Sequence, residues 1–236
     1  MRALLLPIKD LTHAKKRLIG TLSPEERFGL AQAMLADTLR AAGGVRNAHK
    51  IYVITSYPPA IALARENCWE VLEESEQISE SASVDIASRI CIERGIHGLL
   101  RVPLDLPLIQ PSDIDDLLAL ETSPPSLIIV PSRDGTGTNA ILRTPPDLFP
   151  SQFGTGSFAK HLASAASAGA HIIVRRNPRL EMDVDDESDL GALLQRDLSG
   201  TETGKWLRDS GVQARFATIE EPASNATLLK SASGTR

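Results

Sequence analysis

Three sets of side chains in this sequence could do chemistry on an anion. Asp105 follows the apolar run GLLRV (98–102), and Asp183 and Asp185 stand in the acidic stretch DVDDESD (183–189). Carboxylate oxygens of this kind suit a hard divalent cation. Lys9, Lys15, Lys16 and Arg17 place four cations within nine residues of the N-terminal segment PIKDLTHAKKRL (7–18). There Arg could fork onto phosphate oxygens and Lys could act as a point charge. Two clusters of Gly, Thr and Ser complete the set, GTGTN (135–139) and FGTGSF (153–158). The first leads into a strand and could form a nest of backbone N–H groups. The second leads into a helix with Ser157 as expected N-cap, where free amides and the helix dipole favour a phosphate or carboxylate.

Each set also has a plainer reading. A lone Asp after a strand is commonly a cap or turn residue, a basic loop can be a solvated loop, and each glycine cluster can be only a turn. The basic loop contains no glycine, so it is not a Walker loop. What raises the functional reading is convergence, because an extended Asp183–Asp185 segment points both carboxylates to one side. Asp186, Glu187 and Asp189 are expected to cap and charge the helix that follows. His13, His49, His97, His161 and His171 show no metal spacing and no adjacent nucleophile, and His97 and His171 read as structural or exposed.

Positioning these residues requires a sheet. RALLL (2–6), KIYVIT (50–55), WEVLE (69–73), GLLRV (98–102) and SLIIVP (126–131) are apolar runs of the kind found in strands covered on both faces. Helices are expected over 23–44, with Ser23 as N-cap and Pro24 in the first turn, over 83–94, and over 111–120. After residue 131 the order breaks, with strands at 138–143 and 170–175, a helix at 157–169, and a strand end, acidic turn and final helix across 182–196. The alternation predicts an α/β three-layer sandwich with a mostly parallel sheet, in which ligands bind at the carboxyl ends of the strands. One domain is expected over 1–196. From 197 the sequence turns polar and aperiodic, and a partly disordered tail is expected over 197–236.

Composition narrows the class. A net charge of −5 argues against a non-specific nucleic-acid binder. Cys68 and Cys91 match neither a disulfide framework nor a zinc spacing. No stretch reaches membrane-spanning length, and the N-terminal apolar run is shorter than a signal peptide needs, so a cytoplasmic protein is expected.

In family order, LPIKDLTHAKKRL (6–18), VPLDLPLI (102–109), DGTGTNAILRTPPDLFPSQFGTGSFAKHLASA (134–165) and MDVDDESDL (182–190) resemble the 2-phospho-L-lactate or phosphoenolpyruvate guanylyltransferases of deazaflavin coenzyme F-420 biosynthesis. The resemblance spans residues 1 to about 195, and the Gly/Thr block is its specific part. It implies a Rossmann-like nucleotidyltransferase fold, the nucleotide-diphospho-sugar transferase type. It also implies Mg2+ on Asp105, Asp183 and Asp185, and a phosphorylated three-carbon acid on Thr138, Gly154 and Ser157. GTP is implied along Pro7, Lys9, Lys15 and Arg17, with Asp105, Lys15 and Arg17 carrying catalysis. The chain departs from the family pattern at SASVDIAS (81–88), where a Leu-Asn-type helix start is usual, and at Leu104, where a small residue is common.

The implied reaction is attack of the acid's phosphate oxygen on the α-phosphorus of GTP, with release of pyrophosphate. The acid would be 2-phospho-L-lactate, phosphoenolpyruvate or 3-phospho-D-glycerate. A phosphate monoester is already anionic near neutral pH, so no strong general base is required. A sugar- or molybdopterin-type nucleotidyltransferase would share the carboxylates but lack the Gly/Thr block. A non-catalytic nucleotide-binding protein stays open if the carboxylates do not converge. An aspartyl-phosphate phosphatase is disfavoured by PIK at the end of the first strand. A homodimer is left open.

Overall fold

The computed structural model describes residues 1–219. Its seven strands are β1 (Arg2–Pro7), β2 (Lys50–Thr55), β3 (Glu70–Glu73), β4 (Gly98–Arg101), β5 (Ser126–Pro131), β6 (Thr138–Thr144) and β7 (His171–Val174). They form one sheet in the order β3-β2-β1-β4-β6-β5-β7. β1 pairs in parallel with β2 and β4, β2 with β3, and β5 with β7. β6 runs antiparallel between β4 and β5. The sheet is therefore mostly parallel, as expected, and β6 is its one antiparallel strand among the described residues.

Side chains alternate across the sheet and are covered on both faces. Leu4, Leu6, Val53, Leu100, Ile128, Val130, Ala140 and Leu142 pack under α1 (Pro24–Gly43), α2 (Pro58–Glu66) and α4 (Pro111–Ala119). On the opposite face, Leu5, Ile54 and Leu99 meet α3 (Glu80–Glu93), and Leu127, Ile129 and Ile141 meet α5 (Ser157–Ser167). α1 starts as its sequence dictates, with a reciprocal capping box between Ser23 and Glu26. α2 is absent from the sequence reading because its nine residues begin with two prolines and bury only Ala60 and Ala64.

The alternation breaks where β6 begins. Val130 pairs with Ala140 but Pro131 pairs with Thr138, so Asn139 is an extra residue in a β-bulge. Strict alternation would turn Thr138 to the α1 face with Ala140 and Leu142. The bulge turns it to the α5 face instead, where its hydroxyl meets Ser157 and His161.

The polar region after 196, expected as a partly disordered tail, carries two helices among the described residues. After α6 (Glu187–Leu194), residues 202–209 and 212–219 form α7 (Glu202–Asp209) and α8 (Val212–Ile219). Leu198, Leu207 and Val212 are buried with Leu18, Leu22, Leu30 and Met34 in a small core of their own. α7 has only eight residues, and Trp206 and Leu207 are its only large apolar side chains, so the segment reads as polar in the sequence. Its N-terminal amides are satisfied from a distance, since the buried Asp37 of α1 accepts from the N–H groups of Glu202 (2.8 Å) and Thr203 (2.9 Å). The expected disorder over 220–236 lies outside the described residues.

Candidate active site

The strand order reverses direction between β1 and β4, and the crevice beyond their carboxyl ends is where such sheets bind ligands. Pro7 and the basic loop leave β1 there, and Pro103, Leu104 and Asp105 leave β4. A hollow of about 450 Å³ is lined by Pro7, Lys9, Lys15, Arg17, Leu104 and Asp105, among others. A second, of about 530 Å³, is lined by Thr138, Gly154, Ser157, Asp183 and their neighbours. The two share Arg17, Glu80, Arg101, Pro103, Asp105 and Asp185. They are adjoining compartments with one wall between them, and every site residue expected from the sequence lines one or both.

Lys15 sits at that wall. It adopts a left-handed backbone (φ 53°) as the cap of a single 3-10 turn, Lys16–Leu18, which the buried Leu18 anchors. This turns its ammonium inward, 2.7 Å from Asp105 Oδ2 and 3.1 Å from Asp185 Oδ1. Burial opposes charge on both Lys15 and Asp105. Their mutual attraction outweighs it, so the ammonium is raised above, and the Asp105 carboxyl held below, the ordinary range. Arg17 is largely exposed and lies 3.9 Å from Asp185 Oδ2.

Asp183 differs from its two neighbours. Burial first, then the negative charge of Asp105 and of Asp185, pushes its carboxyl up to about 6, although Asn139 Nδ2 donates to it at 3.0 Å. Among the described residues no group of three or more acidic, His or Cys side chains forms a ready cage. Lys15 stands between Asp105 and Asp185, and Asp183 is engaged by Asn139. The donor set is nonetheless all carboxylate oxygen, which fits a hard divalent cation. Asp186 and Asp189 act as read from the sequence, forming a reciprocal capping box at the start of α6.

The two glycine turns are not equivalent. In GTGTN the expected anion nest is already filled by the protein. Asp134 accepts from the Thr136 amide (2.9 Å) and hydroxyl (2.8 Å), and the Ser132 hydroxyl takes the Gly137 amide at 2.7 Å. These bonds, led by the Ser132 hydroxyl, hold the Asp134 carboxyl down to about 2. What this turn contributes to the cleft is the Thr138 side chain. In FGTGSF, Gly154 (φ 107°) and Gly156 (φ 69°) adopt conformations that favour glycine. Their amides and that of Thr155 meet no acceptor among the described residues. Gly156, not Ser157, caps α5, and Ser157 is its first helical residue. The left-handed glycine serves as cap, which frees the Ser157 hydroxyl to reach Thr138 Oγ1 at 3.3 Å.

Three residues absent from the sequence-derived site belong to it. Arg101 is 5% exposed and donates to the carbonyls of Thr138 (3.2 Å) and Asn139 (3.3 Å). It pairs with Glu80, and its guanidinium lies 4.3 Å over the Phe153 ring. A cation inside the run GLLRV was the available signal. Asn139 and the fully buried His161 carried none, because the bulge brings Asn139 to the cleft and the packing of α5 sets His161 behind Thr138. His97 and His171 are exposed, as expected.

Cations and carboxylates thus meet at the wall between two compartments, an arrangement suited to bringing two anions together. In fold, the chain superposes on a structure from Desulfovibrio desulfuricans G20, provisionally assigned as a nucleotide-diphospho-sugar transferase, with a TM-score of 0.71 at 16% identity, covering 91% of this chain and 96% of that one. A family model described as "Guanylyl transferase CofC like" matches residues 1–226, and the chain belongs to that family. A phosphoenolpyruvate guanylyltransferase from Rubrobacter xylanophilus is 35% identical over 80% of this chain and 91% of its own length. A 2-phospho-L-lactate guanylyltransferase from Methanothermobacter thermautotrophicus is 31% identical over 86% and 88%, respectively.

Proposed function

We propose that the protein joins the phosphate of a three-carbon phospho-acid to the GMP moiety of GTP, releasing pyrophosphate, as a step in coenzyme F-420 biosynthesis. The acid is phosphoenolpyruvate, 2-phospho-L-lactate or 3-phospho-D-glycerate. The observation that carries this reading is the pair of adjoining hollows whose common wall holds Asp105, Asp185, Arg17 and Arg101. The basic-loop compartment takes the triphosphate and the Thr138–Ser157 compartment takes the acid.

The chain's own residues then have distinct tasks. Lys9, Lys15 and Arg17 neutralise the triphosphate, which must approach a second anion. The open amides of 154–156, with the Thr138 and Ser157 hydroxyls, orient the acid so that its phosphate faces the wall. The attacking oxygen is already anionic, so no residue need remove a proton. Asp105, Asp183 and Asp185 would hold Mg2+, which when bound neutralises charge on the phosphate oxygens.

Incubation with each acid, each nucleoside triphosphate and Mg2+, followed by product mass and pyrophosphate release, tests the proposal. The expected product is a guanosine monophosphoryl adduct of one acid. Absence of any adduct, with nucleotide still bound, would leave a nucleotide-binding protein.

A further inference from the structure

We propose that His161 is a positioning residue for the acceptor acid, its Nδ1–H fixing Thr138 as a hydrogen-bond donor into the cleft. The N–H of Gln152 points at His161 Nε2 at 3.0 Å, so Nε2 must present a lone pair. The imidazole is wedged between Phe149 and Phe153, with ring centroids 5.9 and 5.0 Å away, and has no exposed surface. Burial, then the charges of Arg143 and Arg101, push its pKa down to about 4, so the ring is neutral. A neutral ring accepting at Nε2 carries its proton on Nδ1.

Nδ1 lies 3.0 Å from Thr138 Oγ1, and the proton therefore points at that oxygen. The Ser157 hydroxyl donates to the same oxygen at 3.3 Å. Both lone pairs of Thr138 Oγ1 are then occupied, and its own hydrogen is left to donate. No protein acceptor for it lies among the described residues, and Thr138 lines the second hollow. A hydroxyl wired this way can meet only an acceptor, which suits a carboxylate or phosphate oxygen and rejects a donor group. The relay Gln152 N–H, His161, Thr138 thus converts an ambivalent hydroxyl into a one-way anion contact, held by a residue that touches no substrate.

This inference rests on the reading that the second hollow takes the acid, and its tests are separable from turnover. The tautomer is read from long-range proton–nitrogen NMR spectra of the wild-type protein, where His161 should show protonated Nδ1 and unprotonated Nε2. Affinities for each of the three acids and for GTP are read by calorimetry. In His161→Asn the amide can sit where Nδ1 was, whereas in His161→Gln it reaches toward the Nε2 position and leaves Thr138 unserved. The Gln variant should bind the acid about tenfold or more weakly. The Asn variant should stay within about threefold of wild type by the same measure, with GTP affinity unchanged in both. In a cycle with Thr138→Val, the double variant should bind the acid no worse than Thr138→Val alone. A protonated Nε2, equal loss in the Asn and Gln variants, an additive cycle, or no acid bound by wild type each overturns the proposal. Acid binding without pyrophosphate release would instead overturn the guanylyl-transfer reading and leave the relay standing.

Discussion

Asp105 and Asp183 are both carboxylates lining the second hollow, yet their surroundings shift their carboxyls in opposite directions. Asp105 is held ionised by Lys15. Replacement with Asn removes that charge while keeping shape, and pyrophosphate release should fall by a hundredfold or more, roughly the scale of lost electrostatic stabilisation in active sites. Near-normal turnover would remove Asp105 from the machinery. Asp183 is strained by its charge, with a folded pKa of about 6 against an ordinary 3.8. Between those values the folded protein holds a proton that the unfolded chain has lost. Stability therefore falls as pH rises from about 4 to 6, and charged Asp183 costs the fold up to ~3 kcal/mol at neutral pH. In metal-free buffer, Asp183→Asn should melt higher than wild type at pH 7 and no higher near pH 4, while losing activity. Asn keeps an oxygen for the bond from Asn139 Nδ2. Scanning calorimetry with a chelator present checks it, and equal melting at pH 7 would place Asp183 in a solvated setting.

At the scale of elements, the cleft depends on how α5 and β6 begin. Gly154 has open space where a Cβ would project, so replacement by Ala meets no clash. Its positive φ of 107° is the obstacle, and relieving that strain would rotate the open amides away from the cleft. Gly154→Ala should therefore raise the acid's KM about tenfold, on the scale of ~1–3 kcal/mol of strain, and leave the KM of GTP nearly unchanged. Ser157→Ala should shift the same two constants in the same direction, by less, since it removes one neutral hydroxyl. Steady-state kinetics with each substrate varied in turn distinguishes this from general destabilisation, which would lower kcat alone. These elements also mark how far the sequence could be read. Apolar runs marked β1, β2, β4 and β5, whose interiors are buried, because burial on both faces writes itself into composition. Glycine clusters, acidic turns and the basic loop marked out residues that line the two hollows, because special backbone and clustered charge stand out in a sequence. The bulge at Asn139, the Gly156 cap, and the closure of GTGTN by Asp134 were not legible, because each depends on which strand or turn lies opposite.

The whole molecule raises a different question, which is where the folding unit ends. Polar composition after residue 196 suggests an appendage, but Leu198, Leu207 and Val212 are buried against α1 and the turn that carries Lys15. Trp206 lies so close to Gly29 that a side chain there would collide with its indole. The same small core holds Leu18, one residue beyond Arg17, and Met182 and Val184, which flank Asp183. The C-terminal helices thus brace both the basic loop and the acidic turn from behind. Ending the chain at residue 196 would expose this surface and strip Asp37 of the Glu202 and Thr203 amides that donate to it. Three large apolar side chains at ~1.5–3 kcal/mol each amount to several kcal/mol, comparable with the whole stability of an ordinary domain. The shortened protein should be insoluble, or unfold at much lower urea than the full chain, with loss of GTP binding preceding loss of the sheet. Urea titrations followed by far-UV circular dichroism and by nucleotide binding separate the two transitions. If the truncated chain kept full stability and GTP affinity, the C-terminal helices would be an ornament on a domain complete without them.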